Sequence, residues 1–500
     1  MLNPQLEEFR VKIGEITDIN SAIALQQWDQ EVYMPPKAGE ARGQQLATLS
    51  ALAHRMFTDT KVGRLISALG NDGSLDDDDC RKLVEETQYD YENATKLPEE
   101  FVETFALEQS KAYEAWIEAR KNADFKMFQP HLETLVGLLK QKADYLGYED
   151  SPYNALLEEY ERGMSVAQLR TIFGELAQKQ SALVERIVQS PNQPDVSWLD
   201  QTWDVDTQWN LTLDILKDMG YDFDAGRQDK SVHPFTTNFD LYDVRVTTRL
   251  NEKKLFSALT GSIHEGGHAL YEQGFRPEDR RTTLAQAPSL GIHESQSRMW
   301  ENMIGRSLPF WKRYAGVYRE RFKGQLDSVA PEQMHRAVNQ VQPTFIRVEA
   351  DECTYNLHVV LRFEIEVGLI EGDIQVADIP AVWNEKIKSY LGLNVPDDAQ
   401  GCLQDIHWSH GSMGYFPTYA LGNLYAAQLF EQIEEDCPAL WQDVEAGQFG
   451  GFLGWLREHV HRYGRRKVAT EIVHAATGED PSPAPYLSYL EGKYSALYGL

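Results

Sequence analysis

The stretch Ile263-His264-Glu265-Gly266-Gly267-His268-Ala269 reads His-Glu-x-x-His. On a helix, two histidines four apart lie on one face with Cβ atoms about 5–6 Å apart. Both imidazoles can then reach one zinc ion at roughly 2.0–2.1 Å. Glu265 falls beside such a metal rather than on it, placed to take a proton from metal-bound water. The bland alternative is a helix face that carries two of the chain's thirteen histidines by chance. The Gly266-Gly267 pair asks for a reason of its own, because each glycine inside a helix costs about 0.8–1.0 kcal/mol relative to alanine. We expect the pair to let substrate or a neighbouring segment approach, so that alanine there stabilises the helix but impairs turnover.

A catalytic zinc usually has three protein ligands and one open position. The class that continues as His-x-x-Gly-x-x-His is excluded, since Tyr271 and Gly274 stand where its glycine and third histidine belong. The other option is a glutamate from a later helix. Glu294, in His293-Glu294-Ser295-Gln296, is favoured. Glu301 is a rival two turns on, with an ion pair to Arg298 as its alternative role, and Glu272 is a rival one turn after His268.

Elements must hold these residues in place, and the chain supplies mostly helices. Apolar residues recur at three- and four-residue spacing over 5–31, 39–70, 81–95, 98–121, 130–147, 165–189 and 206–219. The same texture returns over 293–306, 309–324, 331–339, 345–371, 379–391, 415–435, 449–463, 467–476 and 484–497. Ser165 and Gln168 read as a capping box. Leu75-Asp76-Asp77-Asp78-Asp79 reads as a helix start rather than a calcium loop, since the turn glycine and alternating ligands of such a loop are missing. Residues 231–250, rich in Thr, Val and aromatics, predict a hairpin or small antiparallel sheet just before the histidine helix. The fold class is therefore mainly α with one minor sheet. Ser190-Pro191-Asn192-Gln193-Pro194 marks a boundary between an N-terminal helical lobe, 1–190, and a catalytic portion, 191–500.

Composition narrows the partners. A net charge of −29 opposes binding to nucleic acid or anionic membrane. No apolar run approaches the ~20 residues of a membrane span. The start, Met1 to Arg10, lacks the basic head and apolar core of a signal peptide, and four scattered cysteines fit a reducing compartment. The cytoplasm is expected.

Beyond the histidine motif, the chain carries His233-Pro234-Phe235, Asp243-Val244-Arg245-Val246-Thr247, His293-Glu294-Ser295-Gln296, Ile346-Arg347-Val348-Glu349-Ala350-Asp351 and Gly401-Cys402-Leu403-Gln404-Asp405-Ile406-His407-Trp408. In this order and spacing they resemble the carboxypeptidase Taq family of zinc metallocarboxypeptidases. The resemblance implies a single 500-residue domain, bilobed and mostly helical, with a deep cleft and a fold related to neurolysin-type oligopeptidases. It also implies a homodimer that releases single C-terminal residues from peptides with broad specificity. His264, His268 and Glu294 are implied as ligands of one zinc per chain, with cobalt or manganese as substitutes, and Glu265 as the catalytic residue.

Further roles follow from what such a reaction needs. An oxyanion donor is expected in the loop Trp408 to Tyr419, from His410 or Tyr415 with Tyr419 behind; the bland reading of the tyrosines is packing at a helix start. A peptide's terminal carboxylate calls for an arginine, Arg347 first and Arg245 second. For Arg245 the competing reading is an internal ion pair with Asp243. Gln404 and His407 are expected at the closed end of the cleft, and Asp351 or Asp405 as a carboxylate behind a ligand histidine.

Overall fold

The computed structural model describes residues 3–71, 75 and 77–500. Four helices come first: α1 (Pro4–Val32), α2 (Gly39–Phe57), α3 (Thr60–Gly70) and α4 (Asp78–Lys96). The single helix expected over 39–70 is two, because the Asp59 side chain accepts from Lys61 N and starts a new one. Asp77 caps α4 in the same way, while Asp76 of the acidic run and Met1-Leu2 lie outside the described residues. Next come α5 (Glu99–Asn122), α6 (Phe125–Leu146), α7 (Pro152–Leu157), α8 (Val166–Gln189) and α9 (Val205–Met219). The short α7 went unforeseen. The Ser165/Gln168 capping box at the start of α8 forms.

Strands β1 (Gly226–Lys230), β2 (Thr236–Asp240) and β3 (Asp243–Thr248) make one sheet in the order β1-β3-β2. The sheet is mixed rather than antiparallel throughout: β2 runs antiparallel to β3, and β1 parallel to it. Periodicity misses β1 because its sequence, Gly-Arg-Gln-Asp-Lys, has no apolar alternation, and the residues it buries are Gln228 and Asp229.

The remaining helices are α10 (Ser257–Glu272), α11 (Leu290–Arg298), α12 (Leu308–Arg321), α13 (Pro331–Val338), α14 (Glu352–Glu371), α15 (Ile379–Leu391), α16 (Phe416–Asp436), α17 (Leu440–Ala446), α18 (Gly450–His459), α19 (Ala469–Thr477) and α20 (Ala484–Tyr498). A π-helical turn, Met299–Ile304, prolongs α11. The helix expected from 345 begins only at Glu352, since Asp351 accepts from Cys353 N and Thr354 N and so caps α14.

Packing does not divide the chain near residue 190. One core unites apolar side chains from α5 through α20, while a smaller core joins α1, α3 and α4 to Leu284. Ion pairs link that small N-terminal unit to the rest: Asp18 with Arg281, Asp79 with Arg276 and Arg466, Glu86 with Arg162, and Asp90 with Arg465. Among the described residues no helix is long and apolar enough to cross a membrane.

Candidate active site

Helix α10 presents His264 and His268, and α11 crosses it to bring in Glu294. The crossing is a backbone contact. A Cβ on Gly267 would lie 2.7 Å from Ser297 Cα and 2.8 Å from Gln296 O. A Cβ on Gly266 would meet Leu216 Cδ2 of α9 at 2.5 Å. The glycine pair thus admits neighbouring helices, and the expectation that alanine stabilises the helix is corrected: at Gly267 it collides with the backbone that carries Glu294. On the other side of α11, a Cβ on Gly422 of α16 would lie 2.7 Å from Glu294 Cβ.

Glu294 Oε2 lies 3.6 Å from His264 Nε2 and 3.3 Å from His268 Nε2. The three side chains form a group able to hold a metal ion, with ligand atoms within 4.8 Å of one another. The partners behind the rings fix what faces the centre. His264 Nδ1 lies 3.0 Å from Glu301 Oε2. His293 Nε2 lies 2.7 Å from Glu272 Oε1, and its Nδ1 lies 2.5 Å from His268 Nδ1. An ionised carboxylate only accepts, so His264 carries its proton on Nδ1 and His293 on Nε2. The free Nδ1 of His293 then accepts from His268 Nδ1–H. Both Nε2 lone pairs consequently point toward a carboxylate oxygen, an arrangement of three acceptors that a divalent cation satisfies.

Electrostatics agree with that donor set. Burial pushes His268 down to about 3, which keeps the ring neutral. Burial also disfavours charge on His264, but Glu294 and Glu301 outweigh it and raise this ring above its ordinary value. The carboxyl groups that attract a proton there are those that would attract a metal ion. For Glu294 burial opposes ionisation, yet Arg298 and the two histidines hold it well below the usual carboxylate range. Arg298 Nε donates to Glu294 Oε1 at 2.7 Å, and Arg306 Nη2 donates to Glu301 Oε1 at 2.8 Å.

Glu265 is buried on the same helix, and its Oε2 accepts from Thr236 Oγ1 of β2 at 2.8 Å. Burial raises its carboxyl above the ordinary value. Asn238, two residues along β2, donates to Glu272. The sheet therefore steadies both glutamates of α10.

Arg347 is buried beside this centre. Its Nη2 and Nε reach Asp405 Oδ1 at 2.9 and 3.2 Å, and its Nη1 donates to Tyr355 OH at 2.8 Å. Arg362 of α14 donates from Nε to the other oxygen of Asp405 at 2.6 Å. Two guanidiniums thus share one carboxylate. Tyr419 lies against Arg347, with Cζ 5.0 Å from its ring centre, and the Tyr419 and Tyr415 hydroxyls are 3.4 Å apart. His407 packs 5.1 Å from the Tyr415 ring, and burial pushes it down to about 4.

Other expected residues stand differently. Arg245 makes a two-pronged pair with Asp243 and stacks on Trp28. The Gln404 amide accepts from Arg347 N and donates to Phe345 O and Gly401 O, so it braces the Arg347 segment. His410 is exposed, its ring 5.4 Å from Tyr113 of α5. Asp351 caps α14 and Asp405 serves the arginines; the carboxylate behind His264 is Glu301. Sequence reasoning missed Thr236, Tyr355 and Arg362. For Arg362 a signal existed, a charge inside the otherwise nearly continuously buried α14.

Comparison with known proteins covers nearly the whole chain. A family model described as Carboxypeptidase Taq (M32) metallopeptidase matches residues 8–494. Carboxypeptidase 1 of Bacillus subtilis is 40% identical over 492 residues, 98% of each chain. Thermostable carboxypeptidase 1 of Thermus thermophilus is 42% identical over 487 residues, 95% of each chain. The crystal structure of M32 carboxypeptidase from Deinococcus radiodurans R1 matches with a TM-score of 0.98 at 38% identity, over 100% of both chains.

Proposed function

This chain belongs to the carboxypeptidase Taq (M32) metallopeptidases, and from that premise we propose that it releases C-terminal residues from peptides with broad specificity. It is a metal-dependent peptide hydrolase. We assign His264, His268 and Glu294 as the residues that hold the ion, and zinc as the ion. Cobalt and manganese remain substitutes, because two histidines and a glutamate suit several divalent ions. When bound, the ion supplies a Lewis acid that polarises the scissile carbonyl and acidifies water.

The protein's own groups carry the rest. Glu265, steadied by Thr236, takes a proton from the attacking water and delivers it to the leaving nitrogen. Its raised proton affinity suits it to hold that proton between the two transfers. Tyr415 is our oxyanion donor, because its hydroxyl adjoins Tyr419 and it lies close enough to feel the charge of Glu294. His410 would have to turn away from Tyr113 to assist.

One observation favours terminal over internal cleavage: Arg347 and Arg362 share the single carboxylate of Asp405. That buried surplus of positive charge matches a peptide's terminal carboxylate, with Arg347 as its partner and Tyr419 and His407 alongside. A matched peptide pair with free and amidated C-termini tests the reading. Cleavage of the free peptide alone is expected; equal rates on both would overturn it. Homodimerisation and a cytoplasmic home complete the proposal, and sedimentation at micromolar concentration would detect a monomer if the first is wrong.

A further inference from the structure

Tyr355 of α14 touches both charged clusters. Its hydroxyl accepts from Arg347 Nη1 at 2.8 Å, and its ring lies 4.5 Å from the Cζ of Arg298. Arg298 in turn donates from Nε to Glu294 Oε1 at 2.7 Å. The Tyr419 ring packs edge-on against the Tyr355 ring at 6.0 Å. The tyrosine is only 7% exposed, so neither contact is diluted by water.

We propose that Tyr355 is a positioning residue that joins the two ends of the site. Asp405 fixes Arg347 through Nε and Nη2, and Tyr355 fixes the remaining Nη1. The guanidinium plane is therefore set by groups on both sides. The face of the Tyr355 ring supports Arg298 through a cation–π contact, and Arg298 orients Glu294. One side chain thus sets the carboxylate clamp by its hydroxyl and steadies a metal ligand by its ring. The first half rests on the reading that Arg347 receives the substrate carboxylate; the second does not.

The two halves separate in variants. Each is compared with wild type in steady-state hydrolysis of one free-ended peptide, and in titration of the metal-stripped protein with Zn²⁺ alone. Tyr355→Phe keeps the ring and loses the hydroxyl. It should raise KM about tenfold with kcat within about twofold, since one hydrogen bond to a charged group is removed from uniform binding. Its Zn²⁺ dissociation constant should equal that of wild type. Tyr355→Met, with Tyr355→Leu in reserve should Met fail to fold, fills much of the space without a π face. It should raise KM similarly and weaken Zn²⁺ binding about tenfold.

Arg347→Lys identifies which idea fails. If it raises KM while Tyr355→Phe does not, the positioning role of the hydroxyl is overturned. Wild-type KM in Arg347→Lys would sink the carboxylate reading itself. Unchanged Zn²⁺ affinity in the Met or Leu variant would overturn the link from ring to metal ligand.

Discussion

The two ends of this site are built with opposite charge imbalance. Around His264 and His268, the carboxyl groups of Glu265, Glu272, Glu294 and Glu301 face the guanidiniums of Arg298 and Arg306. Around Arg347 the ratio inverts, with Arg347 and Arg362 on the one carboxylate of Asp405. A buried charge without its complement costs several kcal/mol. A cation would complement the negative end and an anion the positive end. On the function proposed above, a peptide bound across both would put its carboxylate at the Arg347 end and its scissile carbonyl at the histidines.

The largest effect should come from the negative end. Glu265→Gln keeps the shape and the contact with Thr236 but removes the proton acceptor. Turnover should fall by about 10²–10⁴ while zinc, measured by metal analysis of the purified protein, stays bound. Residual turnover near wild type would take Glu265 out of the chemistry.

At the positive end, Asp405→Asn leaves Arg347 and Arg362 with no charge between them. Breaking a buried pair in this way should destabilise the fold by about 3–5 kcal/mol, read as a lowered midpoint in urea. Glu301→Gln tests the negative end. The His264 ring loses its ionised partner, so zinc affinity should weaken about 10–100-fold, and Arg306 loses its carboxylate, so the metal-free protein should also be destabilised by about 3–5 kcal/mol. Zinc affinity weakened equally in Asp405→Asn and Glu301→Gln would erase the contrast between the two ends.

How much of this was legible in the sequence follows from the range of each contact. His264, Glu265 and His268 share one helix, so their spacing alone sets their geometry, and Glu294 needed only one further helix. Glu301 forms the ion pair with Arg298 that was expected of it, but its further contact with His264 Nδ1 was not foreseen, since it sits in a π turn whose winding differs from that of the α-helix expected there. Thr236 and Tyr355 act across elements far apart in sequence, and no local period marks them; Arg362 does so too, marked only by its charge inside α14. His410 illustrates the converse: a suggestive residue in a glycine-rich loop, turned outward where Gly411 takes a positive φ of 61°. Gly267 could be recognised as costly in a helix, but what it admits was visible only once α11 lay against it. Gly267→Ala should therefore cost about 1–3 kcal/mol of stability by overpacking.

The smallest effect probes a buried carboxyl that has no charged partner among the described residues. Glu161 is fully buried and receives hydrogen bonds from Tyr425 OH at 2.9 Å and Gly291 N at 3.0 Å, at the start of the helix that bears Glu294. Burial outweighs the hydrogen bonds it receives and pushes it up to about 7 from 4.5. Between those values the folded protein binds a proton that the unfolded chain has released, so stability must fall as pH rises through this window and level off above it. The slope from one such group is at most about 1.4 kcal/mol per pH unit. Glu294 and Glu301, held low by arginines and histidines, work in the opposite sense and lose their contribution only as pH falls below the ordinary carboxylate range. Urea midpoints of wild type and Glu161→Gln from pH 5 to 8 isolate the term: the difference between them should shift steadily up to about pH 7 and then stay constant. A difference independent of pH would mean that Glu161 is ionised throughout, and that hydrogen bonds from neutral donors suffice where Glu294 relies on full charges.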